Sequence, residues 1–257
     1  MSSPQKWDRI WSPLSEVTLD DLDREIWRNL SRTVPFEGRS LLELGCGRGV
    51  QSRFMLDAGA ASATLVDMSA EALRLAERLF TGFDNVHFVQ GDLLDYRADH
   101  PFDIVLSSGT VEHFRGEQLL QCLRVHRDHA RRLVVIVVPT TPHYNEIQCR
   151  TRRFRSALGY ERPISARRMR DLLLAVGLRP LLLRRFFPLY NARAYWSLPR
   201  TGAGRVDRWL DRKFAKLDQW GERRQVRQRL TVPLRRLDRI FGGLLLAVAA
   251  PLGQAPR

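Results

Sequence analysis

Between residues 40 and 188, short apolar runs alternate with stretches of helical periodicity. No other feature limits the fold so tightly. The runs at 40–44, 63–67 ("ATLVD"), 86–90 ("VHFVQ"), 102–108 ("FDIVLSS"), 132–139 ("RLVVIVVP") and 178–187 read as strands. Helical spacing is expected at about 50–58, at 69–80, near 116–129 and from Ser165 onward. Strands separated by helices of this length must be joined by crossovers, which gives an α/β fold with a parallel sheet sandwiched by helices. Upstream, 18–33 reads as an amphipathic helix with Thr18 as its N-cap and Leu19, Leu22, Ile26, Trp27 and Leu30 on one face.

The rhythm stops after 190. In "GRVDRWLDRKFAKLDQW", Val206, Trp209, Leu210, Phe214, Leu217 and Trp220 fall at helical spacing with Arg and Lys between them. A second basic helix is expected through 222–240, broken at Pro233. The tail "IFGGLLLAVAAPLG" is shorter than the ~20 residues that cross a bilayer. A last buried strand at 242–250 fits it better.

Charge is divided unequally along the chain. Residues 1–149 hold 16 Lys/Arg against 21 Asp/Glu, and residues 150–257 hold 26 against 7, giving the formal net charge of +14. A rear half this basic predicts an anionic partner: nucleic acid, a phospholipid surface or a phosphorylated substrate. The three cysteines, Cys46, Cys122 and Cys149, have no paired spacing, so neither a disulfide framework nor a zinc site is indicated. The opening "MSSPQKWDRI" has no apolar core of a signal peptide. Together these features point to a cytoplasmic protein, with membrane-peripheral contact open to the basic rear.

The first strand runs into "LLELGCGRGV", where Gly45, Gly47 and Gly49 mark a strand-to-helix turn. Glycines let the backbone bend there and approach a ligand closely. A dinucleotide fingerprint would read G-x-G-x-x-G; this chain instead places Glu43 two residues before its first glycine. Asp67 ends the second strand, placed to accept hydrogen bonds from ribose hydroxyls. Asp92, in "VQGDLLD", follows the third, where an adenine amino group could donate to it. Three carboxylates at successive strand ends repel a pyrophosphate and suit a cationic nucleoside without phosphates.

The stretches "LLELGCGRG", "VDMS", "VQGDLLD" and "FDIVLSSGTVEHF" resemble, in order and spacing, the class I S-adenosylmethionine-dependent methyltransferases. "GTVEHF" is similar to the small-molecule branch that includes ubiquinone-type methyltransferases of the methyltransferase type 11 kind, and "WDRIWS" to N-terminal lid segments. The resemblance covers about 40–190 and the final strand, but not 191–240. It implies a Rossmann-like seven-stranded, mostly parallel sheet with the last strand antiparallel, preceded by a basic helical insertion. The corresponding organisation is a lid helix over 1–39, a core of 40–190 plus 241–253, and an insertion at 191–240.

The resemblance also implies site roles. Gly45, Cys46 and Gly47 line the methionine part of S-adenosylmethionine, with Glu43 orienting that region. Asp67 holds the ribose, Met68 packs on the adenine, and Asp92 and Leu93 sit at its edge. Ser107 and Ser108 stand near the sulfonium, with His113 covering it. A hydroxyl acceptor calls for a general base, usually His; the candidates are His143, with Tyr144 and Glu146 beside it, and His113. Glu112 reads as a local cap or salt bridge.

Departures from related patterns narrow the acceptor. "SSGT" lacks the proline-braced amide tetrad of exocyclic-amine nucleic-acid methylases, and no cysteine stands where a pyrimidine C5 type needs one. Gly109 replaces the first Glu of the metal-binding Glu-x-x-Glu-His pattern, so no metal is expected. The leading expectation is an O- or N-methyltransferase for a small or lipid-linked, anionic metabolite. An RNA methyltransferase, or a catalytically silent module on an anionic surface, stands behind it.

Overall fold

The computed structural model describes residues 3–14, 19–140, 149, 150, 155, 160–188 and 242–253. Seven strands form one sheet: β1 (Ser40–Leu44), β2 (Ser62–Asp67), β3 (Val86–Gln90), β4 (Phe102–Ser108), β5 (Ala130–Pro139), β6 (Leu178–Pro188) and β7 (Gly242–Pro251), in the order β3-β2-β1-β4-β5-β7-β6. β7 pairs antiparallel with both β5 and β6, and the neighbouring pairs from β3 to β5 are parallel. Strand order reverses between β1 and β4, so the tips of those two strands face a crevice, the usual ligand position of an open parallel sheet.

Six helices accompany the sheet among the described residues: α1 (Pro4–Trp11), α2 (Asp21–Leu30), α3 (Val50–Asp57), α4 (Ala70–Leu79), α5 (Gly116–His129) and α6 (Ala166–Ala175). The side-chain alternation of the strands divides the core in two. Leu41, Leu65, Ile104, Leu106, Val135 and Val137 join the cluster that includes Ile26, Met55 and Leu73 from α2, α3 and α4. Leu42, Val66, Val105, Val134 and Ile136 face the other way, toward Leu119 and Leu123 of α5 and Met169 and Leu173 of α6. Both faces of the central strands are therefore covered, which explains why their sequences are almost continuously apolar.

Two local expectations change. Thr18 lies outside the described residues; α2 is capped by Asp20, whose carboxylate accepts the Asp23 N–H at 2.8 Å while Asp23 returns a bond to the Asp20 N–H. β5 begins at Ala130, two residues earlier than its apolar run, because Ala130 already pairs with Phe102, ahead of a register shift in which β5 carries one extra residue. The expected basic helices within 191–240 lie outside the described residues.

Candidate cofactor cleft and acceptor site

The glycine turn is held to β2 by three hydrogen bonds. Gly45 and Cys46 both donate their N–H groups to the Val66 carbonyl, at 2.8 and 3.0 Å. Gly47 donates to the Asp67 carboxylate at 2.8 Å, and the other oxygen of Asp67 accepts from the Ser69 N–H at 2.9 Å. All three glycines of the turn have positive φ, a region L-residues with a Cβ adopt at a cost. At Gly45 space decides as well: a Cβ there would stand 2.5 Å from Thr110 Cγ2.

Glu43 points into the protein from β1. Its carboxylate accepts from the Ser52 hydroxyl at 2.6 Å and the Ser52 N–H at 3.3 Å, tying the strand to the first turn of α3. Burial pushes the Glu43 carboxyl up to about 7, with the nearby Asp67 charge adding to the effect. Burial likewise raises Asp67, against the pull of its backbone N–H bonds. A cation brought to these strand tips would favour the ionised form of both carboxyls. The donor set thus fits S-adenosylmethionine: carboxylates, a backbone cradle without side chains, and no cluster of ligands for a metal among the described residues.

The remaining cofactor candidates separate by exposure. Asp92 is exposed, with one oxygen accepting the Leu94 N–H, and Met68 is half-buried. Leu93 packs into the core, and the Cys46 side chain joins the opposite core cluster. Ser107 is 1% exposed. Its hydroxyl lies 2.9 Å from His126 Nε2, and His126 Nδ1–H donates to the Cys122 carbonyl. Burial holds His126 near 4, so it stays neutral and accepts the Ser107 proton as a hydrogen bond. Ser108, the next residue, is half-buried.

Helix α1 lies across the strand tips. Asp8 accepts from the Ser69 hydroxyl at 2.6 Å beside the N-terminus of α4, where a negative charge is favoured. Trp11 sits on the turn, 3.0 Å from where a Gly47 Cβ would be. Trp7 meets the ring of His113 edge-on, 4.9 Å between centroids. His113 Nδ1 lies 2.7 Å from the Tyr160 carbonyl and so donates to it; burial lowers this imidazole to about 4. His143, Tyr144 and Glu146 lie outside the described residues.

Glu112, read from sequence as a cap or salt bridge, makes no salt bridge among the described residues: it is 2% exposed, and its Oε2 has no hydrogen-bond partner among them. Sequence reasoning also passed over Thr110, Asp8, Trp11 and Glu161, whose places depend on contacts between segments far apart in the chain.

The sheet, glycine turn and acidic strand tips are similar to those of the class I S-adenosylmethionine-dependent methyltransferases. Residues 41–132 match the family described as "Methyltransferase domain". The ubiquinone biosynthesis O-methyltransferase of Thiobacillus denitrificans is 31% identical over 109 residues, 41% of this chain and 47% of that protein. The cypemycin N-terminal methyltransferase of a Streptomyces species is 38% identical over 84 residues, 33% of this chain and 34% of that one. The chain thus spans half or less of the length of these curated relatives. A chain in the complex of the Haloferax volcanii Trm112 methyltransferase activator with a methyltransferase has the same fold. It aligns with a TM-score of 0.65 at 16% identity, over 99% of both chains.

Proposed function

We propose that this protein transfers the methyl group of S-adenosylmethionine to an oxygen or nitrogen of a small or lipid-linked acceptor that carries negative charge. The observation that carries the reading is the Asp67–Gly47 bond, which builds the glycine turn and a strand-tip carboxylate into one cationic-nucleoside cradle. S-adenosylmethionine, when bound, supplies an electrophilic methyl on a positive sulfur. Gly45 and Gly47 offer it backbone surface, Asp67 faces the ribose, Asp92 stands at the adenine side and Glu43 supports the turn from beneath.

The chain's own work is alignment and exclusion of water. Trp11 and Trp7, on α1, lie over the donor side and the acceptor side respectively. His113, neutral and tied to Tyr160, shapes the wall between them. His143 and Tyr144 are proposed as acceptor-side groups because they follow β5. The two relatives' names span an oxygen and a nitrogen acceptor, which supports leaving both atoms open here.

The insertion at 191–240 is proposed to cap the acceptor pocket and to meet anionic surface. No helix among the described residues is long and apolar enough to cross a membrane. Flotation with anionic liposomes, lost on deleting 200–240, would support that role; retained flotation would remove it from those residues. RNA affinity that falls steeply with salt would point to an RNA acceptor instead. The central test is calorimetry with S-adenosylmethionine and its demethylated product, followed by mass spectrometry of products made from labelled cofactor in cell extract. Absence of any heat of binding would refute the proposal.

A further inference from the structure

Two carboxyl groups, Glu112 and Glu161, lie beyond the glycine turn and are not among the residues proposed to hold the cofactor. Glu112 sits in the single 3₁₀ turn Val111–His113 that follows β4. Just before that turn, the Thr110 hydroxyl bonds the Gly45 carbonyl at 3.1 Å, which places the turn directly against the glycines of the donor cradle. The Arg162 N–H donates to the Glu112 carbonyl at 3.1 Å and brings the adjoining Glu161 alongside. Glu112 Oε1 stands 3.8 Å from where a Gly109 Cβ would be, while Oε2 is buried without a partner among the described residues. A buried carboxylate oxygen left so is costly, and its natural complement is an N–H donor.

We propose that Glu112 and Glu161 receive a protonated amine of the methyl acceptor and take its proton, which makes the reaction an N-methylation. The inference rests on the methyltransferase reading and names the acceptor atom within it. A further cation suits the pair because two carboxylates set close together cannot both ionise comfortably, and the Lys6 charge acts on Glu161 but not on Glu112. Burial raises both carboxyls, and the Glu161 charge raises Glu112 further. The other titratable groups acting with them are Lys6 from α1, Cys122 from α5 and Cys149, and His113 is the next residue after Glu112. His113, lowered to about 4 and committed to Tyr160, is the poorer proton acceptor.

The proton balance closes. The bound ammonium gives one N–H proton to the carboxylate pair and becomes a neutral amine. Its lone pair forms the new N–C bond to the methyl carbon while the C–S bond breaks, with its electron pair going to sulfur. The methylated ammonium leaves, and the carboxylic proton passes to water. An α-amino group, with an ordinary pKa of about 8, yields its proton to a raised carboxylate at far smaller cost than a hydroxyl of pKa about 10 or higher.

The test uses the full chain, labelled S-adenosylmethionine and the small-molecule extract of the native host in three portions: untreated, acetylated with acetic anhydride, and acetylated then treated with hydroxylamine, which reverses phenolic and alcohol esters but not amides. Label transfer to the untreated portion, lost on acetylation and not restored by hydroxylamine, is the expected result. Restoration by hydroxylamine, or no transfer to the untreated portion, overturns the inference. Glu112→Gln and Glu161→Gln should each cut transfer at least tenfold and flatten its rise with pH, with S-adenosylmethionine binding within twofold of the parent. Glu112→Asp should keep part of the rate. Parent-like transfer by both Gln variants overturns the inference. Failure of the parent chain to bind the cofactor refutes the methyltransferase reading itself.

Discussion

The Asp67 carboxylate accepts the Gly47 N–H at 2.8 Å, so the tip of β2 and the glycine turn after β1 form one rigid corner. Asp67 thereby shapes the turn, and in the proposed reading it also faces the ribose. Asp67→Ala removes both and should weaken S-adenosylmethionine binding by about 1–3 kcal/mol. Titration calorimetry measures this directly, and unchanged affinity would show that the cofactor lies elsewhere.

Glu43 couples stability to pH. Its carboxyl is raised from the ordinary 4.5 to about 7 by burial. Between those values the folded chain binds more protons than the unfolded chain, so stability falls as pH rises and the loss is complete above about 7. Glu43→Gln should therefore be more stable than the parent above pH 7, by up to about 3 kcal/mol, and no different well below pH 4. Denaturant titrations at the two pH values check it.

The arriving sulfonium charge should lower the same carboxyl and release its proton. Near pH 6.5, the binding enthalpy of S-adenosylmethionine should vary with the ionisation enthalpy of the buffer. The demethylated product, without the charge on sulfur, should release fewer protons. Equal release for both ligands would place the sulfonium away from Glu43.

Gly45 is constrained by Thr110. With a Cβ 2.5 Å from Thr110 Cγ2 and 2.7 Å from its Oγ1, Gly45→Ala must displace the segment after β4. Cofactor affinity should fall at least tenfold. Adding Thr110→Ala removes the two nearest atoms but leaves the Thr110 Cβ position at 3.2 Å and the positive φ, worth about 1 kcal/mol, so the double variant should recover in part. Full additivity of the two losses would count against this packing relationship.

Ser107 and His126 test where structure and chemistry divide. Ser107→Ala strands the buried His126 Nε2 and should destabilise the fold by about 1–3 kcal/mol. Cofactor affinity should stay within twofold, because the hydroxyl is turned toward α5. A large loss of affinity with unchanged stability would return Ser107 to the cofactor.

The sheet was legible because its signals are local: each strand is a run of apolar residues, and each helix has a face. Asp67 and the glycines were legible for the same reason, since strand ends and turns are written in adjacent residues. Thr18 misled as an N-cap because a competing Asp20–Asp23 box lies two residues on, and reciprocal bonds outweigh a single one. Glu161 and Asp8 gave no local sign. Their partners come from segments tens of residues away, and only the folded chain brings them together.

The seam between the last two strands has a consequence for variation. Pro188 at the end of β6 faces Gly242 at the start of β7, so the intervening residues depart from and rejoin the barely separated ends of a finished zip. Those ends stand on the same rim as the tips of β1 and β4. A substitute stretch of any length spliced between them would be delivered to the mouth of the cleft without disturbing the sheet.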